Sequence, residues 1–410
     1  MKIIQISPGL VEIPPKGWGA IEEVIWNYKV ELENIGNSVE IIRYWDFTQE
    51  YKNGWRDFDI VHIHITDQAD FFIKNNIPYF FTIHDIHAYM YANFTKEYVM
   101  TKSVIINSIV TFCPSMIFME RYSESKNKMV YMTHGFSEQF KPIDKDMDNI
   151  KLLCVSNNLS ISGVHDNKGY VISDKIAKEL GLEITFVGPN DHFFDFEEHI
   201  FYGKKVCRNV NKDELVKDFF STHHILLHMS NIESGQPCLV ILESIACGLP
   251  VVATRMDYID IPGIEFVDRD IDSGVKAVKK IINNYDLYRN SALTSSKNFT
   301  WANVVRLINI YYQQTIKRTT KLIYIQREND ANGIPTDSIK IIEDGSLLKV
   351  ECLINVDHNV KFIDSDGYLI YEDDINIYCW AGVPIPDNGV LLIHIKRIDY
   401  ETPFVFRYQR

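Results

Sequence analysis

Apolar positions along the first 310 residues alternate between two periods. Ile3–Ile6 is a short β run, and Pro14-Pro15-Lys16-Gly17-Trp18-Gly19 reads as a loop. Val24, Ile25, Tyr28, Leu32 and Ile35 then recur at helical spacing, with Gly36 as the stop. Val39–Ile42, Asp59–His64 and Tyr79–Ile83 read as further strands. The pattern restarts near residue 150. Leu152–Val155 is a strand, and Val171, Ile172, Ile176, Ala177 and Leu180 form a helical stripe ending at Gly181. Glu183–Val187, Ile225–His228, the helix Leu239–Ala246 and the strand Pro250–Ala253 continue it. Strands alternating with helices predict an α/β fold with parallel sheets covered on both faces. Two such halves predict a cleft between them, where ligands of open parallel sheets bind.

After about residue 320 the pattern becomes short and β-rich: Ile339–Ile342, Leu347–Ile354, Asn359–Ile363 and Leu369–Tyr371. Asp344-Gly345, Asp366-Gly367 and Asn388-Gly389 are hairpin-type turns among these runs. A small all-β module of sandwich type is expected. The predicted organisation is residues 1–145, 146–318 and 319–410, with the last helix of the second part returning to the first.

Composition narrows the function. The net charge of −13 argues against nucleic-acid binding, which needs basic surface to neutralise phosphates. Seven scattered cysteines with no CxxC pair suit free thiols in a reducing cytoplasm better than a zinc site. The N-terminal stretch lacks the apolar core of a signal peptide, and no apolar run is long enough to predict a membrane span. A cytoplasmic protein is expected.

The segment ESGQPCLVILESIACGLPVVAT, Glu233–Thr254, carries the most chemistry. Gly235 and Pro237 bend the chain before the helix Leu239–Ala246, whose first amides have no intrahelical partner and carry partial positive charge. Such amides suit a phosphate or sugar oxygen. Glu233 and Glu243 flank the turn, and both are suited to accept hydrogen bonds from vicinal hydroxyls. A solvated helix glutamate and a plain Gly-Pro turn would give the same letters.

This segment resembles the donor-site motif of family-four-like retaining glycosyltransferases of the GT-B fold, in which two Rossmann-like domains face across a cleft. The family carries two glutamates separated by seven residues, then Ala-Cys-Gly-x-Pro-Val-Val; here nine residues intervene between Glu233 and Glu243. The resemblance covers about residues 1–316. It implies that Glu243 holds the nucleotide ribose and Glu233 the donor sugar. The Gly235-Gln236-Pro237-Cys238-Leu239 backbone would meet the phosphates. PPKGWGAIEEV is similar to the family's glycine loop, so Gly17 and Gly19 would lie by the donor, and Glu22 matches a family glutamate. Phe81-Thr82-Ile83-His84-Asp85 implies that His84 orients the sugar or acceptor across the cleft, with Asp85 and His87 as neighbours. Thr133-His134-Gly135-Phe136 and Phe140-Lys141-Pro142 are similar to the segment by the hinge. Phe299-Thr300-Trp301 is similar to the closing segment.

Family members open the second domain with Gly-Arg, a spacer and Lys-Gly, which neutralise the donor pyrophosphate. Asp166-Asn167-Lys168-Gly169 supplies the Lys, but no Arg follows Leu152–Val155; Arg208 is one candidate substitute. Lys168 also suits a plain surface turn. His62 and His64 share a strand face and have no convincingly spaced third ligand, so packed histidines are expected rather than a metal site. Tyr378 and Trp380 suit either sugar stacking or a sandwich core.

The resemblance thus implies catalytic roles for His84, Glu233 and Lys168. It implies no metal and no cofactor besides a UDP- or GDP-linked sugar as substrate, with a glycan, lipid-linked or protein acceptor. Retention in the family proceeds by same-face attack assisted by the leaving phosphate, with no enzymic nucleophile. The alternatives are a non-catalytic sugar-nucleotide or glycan-binding protein, or a nucleotide-sugar epimerase of the same fold.

Overall fold

The computed structural model describes residues 1–317 except 10, 17–18, 51–53, 76, 85–94, 148, 157–165, 190–199, 232 and 234. Beyond these it describes eight C-terminal strands without their side chains. Gly17, Asp85, His87 and Tyr378, and the side chain of Trp380, lie outside the described residues. The chain divides into two compact units, Met1–Ile310 and Tyr311–Arg410.

The first unit contains two six-stranded sheets. One is built from β1 (Lys2–Ser7), β2 (Ser38–Arg43), β3 (Ile60–Ile63), β4 (Phe80–Thr82), β5 (Thr111–Cys113) and β6 (Met129–Tyr131), ordered β2-β1-β3-β4-β5-β6. The other comprises β7 (Lys151–Val155), β8 (Glu183–Gly188), β9 (Lys204–Cys207), β10 (Ile225–His228), β11 (Val251–Thr254) and β12 (Ile264–Val267), ordered β12-β11-β10-β7-β8-β9. Every pairing in both sheets is parallel. Strand order reverses between β1 and β3 in one sheet and between β7 and β10 in the other. The carboxyl ends of these strands are where open α/β sheets hold ligands.

The apolar pattern explains both halves. β3 and β4 are buried along their whole length, and β10 and β11 likewise, as expected for parallel strands covered on two faces. Val24, Ile25, Tyr28 and Leu32 of the helix Ala20–Asn34 face the first sheet, while Ile35 lies past its end and is exposed. Gly181 closes the helix Tyr170–Leu180 in the left-handed conformation. Asp270 caps the helix Ile271–Asn283 through Ser273 N.

The chain crosses between the halves beside Trp301, which starts the helix Trp301–Lys317. A Cβ on Gly135 would sit 2.7 Å from the Trp301 backbone nitrogen, so only glycine allows this approach. Trp301 packs edge-on against Tyr28 at 5.9 Å, and Asn37 bonds Asn309 at 3.3 Å. This helix therefore touches the first sheet's helix layer.

The second unit contains two antiparallel four-stranded sheets. Strands β13 (Lys321–Ile323), β14 (Ile339–Asp344), β15 (Leu347–Cys352) and β18 (Trp380–Pro384) form one, in the order β13-β14-β15-β18. The other is β17 (Leu369–Ile375), β16 (His358–Ile363), β19 (Val390–Arg397) and β20 (Phe404–Gln409), in that order. β14 pairs with β15 and β16 with β17, across Asp344-Gly345 and Asp366-Gly367. Asn388-Gly389 lies outside the described residues, and the strands before and after it, β18 and β19, belong to different sheets. Among the described residues, no helix is long and apolar enough to cross a membrane.

Candidate functional site

The loops after β7 and β10 are stitched together at the second sheet's switch point. Ser230 Oγ and Asn231 N both donate to Asn167 O, at 3.1 and 2.9 Å. Asp166 accepts from Val171 N at 3.0 Å and so caps the helix Tyr170–Leu180. Burial raises the Asp166 pKa; these helix-start amides and Arg269 act in the opposite direction. Arg269 pairs with Asp166 at 3.2 Å and donates from Nε to Met229 O at 2.8 Å.

Gly169 sits in the left-handed region at φ +75, and an added Cβ would lie 2.2 Å from Met229 O. Backbone strain and a backbone clash coincide there. Gly169→Ala is expected to destabilise the protein by about 2–4 kcal/mol and to displace the neighbouring Lys168. Urea midpoints of the two proteins check this, and an unchanged midpoint would refute the assigned role of the turn.

Lys168 and Glu233, 65 positions apart, meet here. Lys168 Nζ lies 2.5 Å from Glu233 Oε1, and the two side chains are only 10% and 12% exposed. His228 Nε2 lies 2.9 Å from the same carboxylate oxygen, and Cys238 Sγ lies 3.5 Å from that nitrogen. Burial opposes ionisation of Glu233, but Lys168 and then His228 outweigh it and hold the carboxyl down at about 2. Burial likewise opposes a charge on His228. The Cys238 sulfur and the Glu233 carboxylate overcome it, so the imidazole pKa is raised.

The bend before the helix Leu239–Ala246 has two faces. The Gln236 side chain is buried at the carboxyl end of β11, donating to Thr254 O at 2.7 Å and accepting from Met256 N at 2.9 Å. It anchors the turn to the sheet. Gly235 packs on the first half, where an added Cβ would come within 2.7 Å of Pro114 O. Tyr131 OH donates to Gln236 O at 3.5 Å, and Met116 N to Asp257 Oδ2 at 2.9 Å. Cys238 is the N-cap residue and its side chain makes no capping hydrogen bond.

Glu243 is 6% exposed, so it is a wall residue rather than a solvated one. Lys212 Nζ lies 3.5 Å from its Oε1 and also pairs with Glu23 of the helix Ala20–Asn34. Lys212 therefore ties Glu243 to the opposite half. Burial raises the Glu243 pKa, Glu23 adds to this, and Lys212 offsets it.

Four imidazoles line the opposing edge. His62 and His64 stack at 4.4 Å, His64 and His84 at 5.3 Å, and His84 and His134 at 5.9 Å. His64 is held by Gln5 Oε1 and His84 Nε2, both at 3.1 Å, and His62 by Thr82 Oγ1 at 2.8 Å. Burial lowers all four pKa values, to about 3 for His62 and about 4 for His134. The Glu233 carboxylate partly offsets the fall at His134, so the charged cluster of the second half is felt across the cleft. Gly19 lies at the start of the helix Ala20–Asn34, with Glu22 buried beside it. The Glu22 carboxylate accepts from its own amide and from that of Val11, which pins the preceding loop.

The structure thus groups Lys168 with Glu233, and places Gly235, Gln236, Pro237, Cys238 and Leu239 in the adjoining bend. Glu243 lies one to two turns into the following helix, and His84 belongs to the facing histidine stack. Arg208 is on the surface, 52% exposed and paired with Glu214. The arginine beside the Lys168 turn is Arg269. Sequence reasoning missed it, and missed Lys212 and His228. His228 alone had a usable signal, as a polar residue closing a wholly apolar strand.

No protein-family profile matches the chain, and no curated protein matches it. Solved structures do. Anabaena Alr3699/HepE in complex with UDP-glucose superposes with a TM-score of 0.57 at 12% identity, covering 76% of this chain and 99% of that one. AviGT4, a glycosyltransferase involved in avilamycin A biosynthesis, gives 0.57 at 15% identity, covering 77% and 98%. A glycosyltransferase from Rickettsia africae ESF-5 gives 0.56 at 15% identity, covering 78% and 99%. The fold of the two α/β halves is GT-B. At these identities the likeness extends to architecture, and function rests on the residues of the cleft.

Proposed function

We propose that the chain is a retaining glycosyltransferase that moves a sugar from a nucleotide donor to a glycan, lipid-linked or protein acceptor without a metal. The observation that carries this is the Lys168–Glu233–His228 cluster at the second sheet's switch point, faced by His134 and His84 from the first. A buried ammonium beside the start of the helix Leu239–Ala246, whose N-cap residue supplies no side-chain cap, suits a pyrophosphate that gains charge as it leaves. Glu233 accepts from donor sugar hydroxyls and Glu243 from ribose hydroxyls. His84 is neutral and orients the acceptor or sugar. The acceptor hydroxyl attacks the anomeric carbon, the bond to the phosphate oxygen breaks on the same face, and the proton passes to the leaving phosphate. HepE was crystallised with UDP and UDP-glucose, which makes UDP-linked sugars the first donors to test, with GDP-linked sugars next. On this reading residues 1–145 form the acceptor side, 146–318 the donor side and 319–410 a sandwich-like accessory module in a cytoplasmic enzyme.

A thermal-shift screen of UDP-, GDP-, ADP- and CMP-sugars, followed by transfer assays, tests the proposal, because a bound donor raises apparent stability. One class of donor is expected to shift the transition, and Glu243→Gln to weaken its binding about tenfold, the value of one lost hydrogen bond to a charged group. No shift with any donor would refute the proposal. Binding without turnover would replace it with a sugar-nucleotide-binding protein.

A further inference from the structure

The cluster beside Lys168 has one member that sugar transfer does not use, the Cys238 thiol. Its sulfur lies 3.5 Å from His228 Nε2, and that nitrogen lies 2.9 Å from Glu233 Oε1. One ligand atom from each of the three residues falls within 4.8 Å of the other two. We propose that His228, Glu233 and Cys238 form a binding site for a soft divalent cation, Zn2+ foremost.

Geometry supports this first. Zinc bonds of about 2.0–2.1 Å to nitrogen and about 2.3 Å to sulfur, at a tetrahedral angle, put N and S about 3.6 Å apart. The Cys238–His228 separation of 3.5 Å already matches. Two oxygen- or nitrogen-type ligands on the same ion lie about 3.4 Å apart, so Glu233 needs to withdraw by about half an ångström. His228 is 2% exposed, and its Nδ1 has no hydrogen-bond partner among the described residues. Nε2 is therefore the ring atom its surroundings engage, and a cation there would replace a shared proton.

The donor set selects the ion. Thiolate plus imidazole favours zinc over magnesium or calcium, which take oxygen ligands. The thiolate and the neutral imidazole are the forms that bind, so zinc binding displaces to solvent any proton these two groups carry and forms Zn–S and Zn–N bonds. Lys168 Nζ contacts the same Glu233 oxygen as His228. Its charge and that of Zn2+ exceed the two anionic ligands by one, so the site stays attractive to anions. Three protein ligands leave the fourth position open, the arrangement of reactive rather than structural zinc sites. A bound ion would occupy the carboxylate proposed for the donor sugar. That consequence depends on the proposed function, whereas binding of the ion does not.

The test uses the full chain, stripped with a chelator and titrated with Zn2+ against a chromophoric competitor, and separately with Co2+ alone. One equivalent of Zn2+ is expected, and Co2+ is expected to give a thiolate charge-transfer band in the near ultraviolet. Cys238→Ser should abolish the band and weaken Zn2+ at least tenfold. It should fold, because Ser is a good residue at a helix start. Cys207→Ser should change neither. Failure of the wild type to bind one equivalent would overturn the proposal, and so would a band absent from the wild type or retained in Cys238→Ser.

Discussion

Acidification from pH 7 to pH 5 is expected to remove most of the folding stability, and buried histidines are the cause, the four stacked ones foremost, with His223 and His224 acting in the same direction. His62, His64, His84 and His134 are buried, and each has its pKa lowered in the fold. In the unfolded chain each titrates near the ordinary value of about 6.5. Above that pH both states are neutral at these positions and the stabilisation is complete. Below it the unfolded chain takes up protons that the fold refuses, so stability falls as pH falls. Each histidine contributes about 1.4 kcal/mol per pH unit once the unfolded state is protonated. Four together approach about 5–6 kcal/mol per unit, comparable to the whole stability of an ordinary domain. His228 acts differently. Its folded pKa is raised, so its contribution is complete below about 6.5 and is lost only as pH rises through the folded value. It offers no relief in acid. Urea midpoints between pH 8 and pH 5 check the result. His64→Gln, which keeps a polar side chain facing Gln5, should flatten the dependence by about one proton. A stability that stays level down to pH 5 would mean that the stack is charged in the fold.

The histidine stack also shows what sequence reading reaches and what it does not. Alternation along Asp59–His64 put His62 and His64 on one face and made packed histidines the expected outcome. Their ring stacking at 4.4 Å and hydrogen bonds to Thr82 and Gln5 agree with it. Long-range partners were out of reach, because the positions of His84 and His134 beside them depend on strand order. The same limit applies to Lys212. It opens the short helix Lys212–Glu214 with no motif around it, and acquires a role only where Glu23 and Glu243 converge from different halves. Arg269 follows β12, a strand whose residues are mostly half-buried and which periodicity did not mark. Three-residue strands such as Thr111–Cys113 and Met129–Tyr131 were equally silent, since so few residues cannot display a period. Leu239–Ala246 and Ile225–His228 were legible to the residue, because each is a mainly apolar run with polar or turn residues at its ends.

Lys168→Ala is expected to lower kcat/KM for transfer by about 10²–10³-fold, the usual cost of losing one preorganised group that stabilises developing charge. The same substitution leaves Glu233 with His228 alone. The folded Glu233 pKa of about 2 lies below the ordinary value, so its stabilisation is present above about pH 4.5 and is lost as pH falls through 2. Lys168 is the largest source of that depression. Without it, part of the contribution disappears at neutral pH, and removing one partner from a pair this buried costs about 3–5 kcal/mol at most. Lost activity could then reflect either a damaged fold or a missing phosphate ligand, and the Lys168→Ala, Glu233→Gln double variant separates the two. Neutralising Glu233 removes the unpaired carboxylate, so stability should largely return toward that of the wild type. Transfer should not return, because neither the cation for the leaving phosphate nor the carboxylate for the sugar is present. Chemical denaturation and initial rates on all four proteins of the cycle measure both quantities. Transfer restored along with stability would make the pair purely structural. Transfer undiminished in Lys168→Ala would remove Lys168 from the reaction altogether and leave His228 and Arg269 as the cations beside the turn.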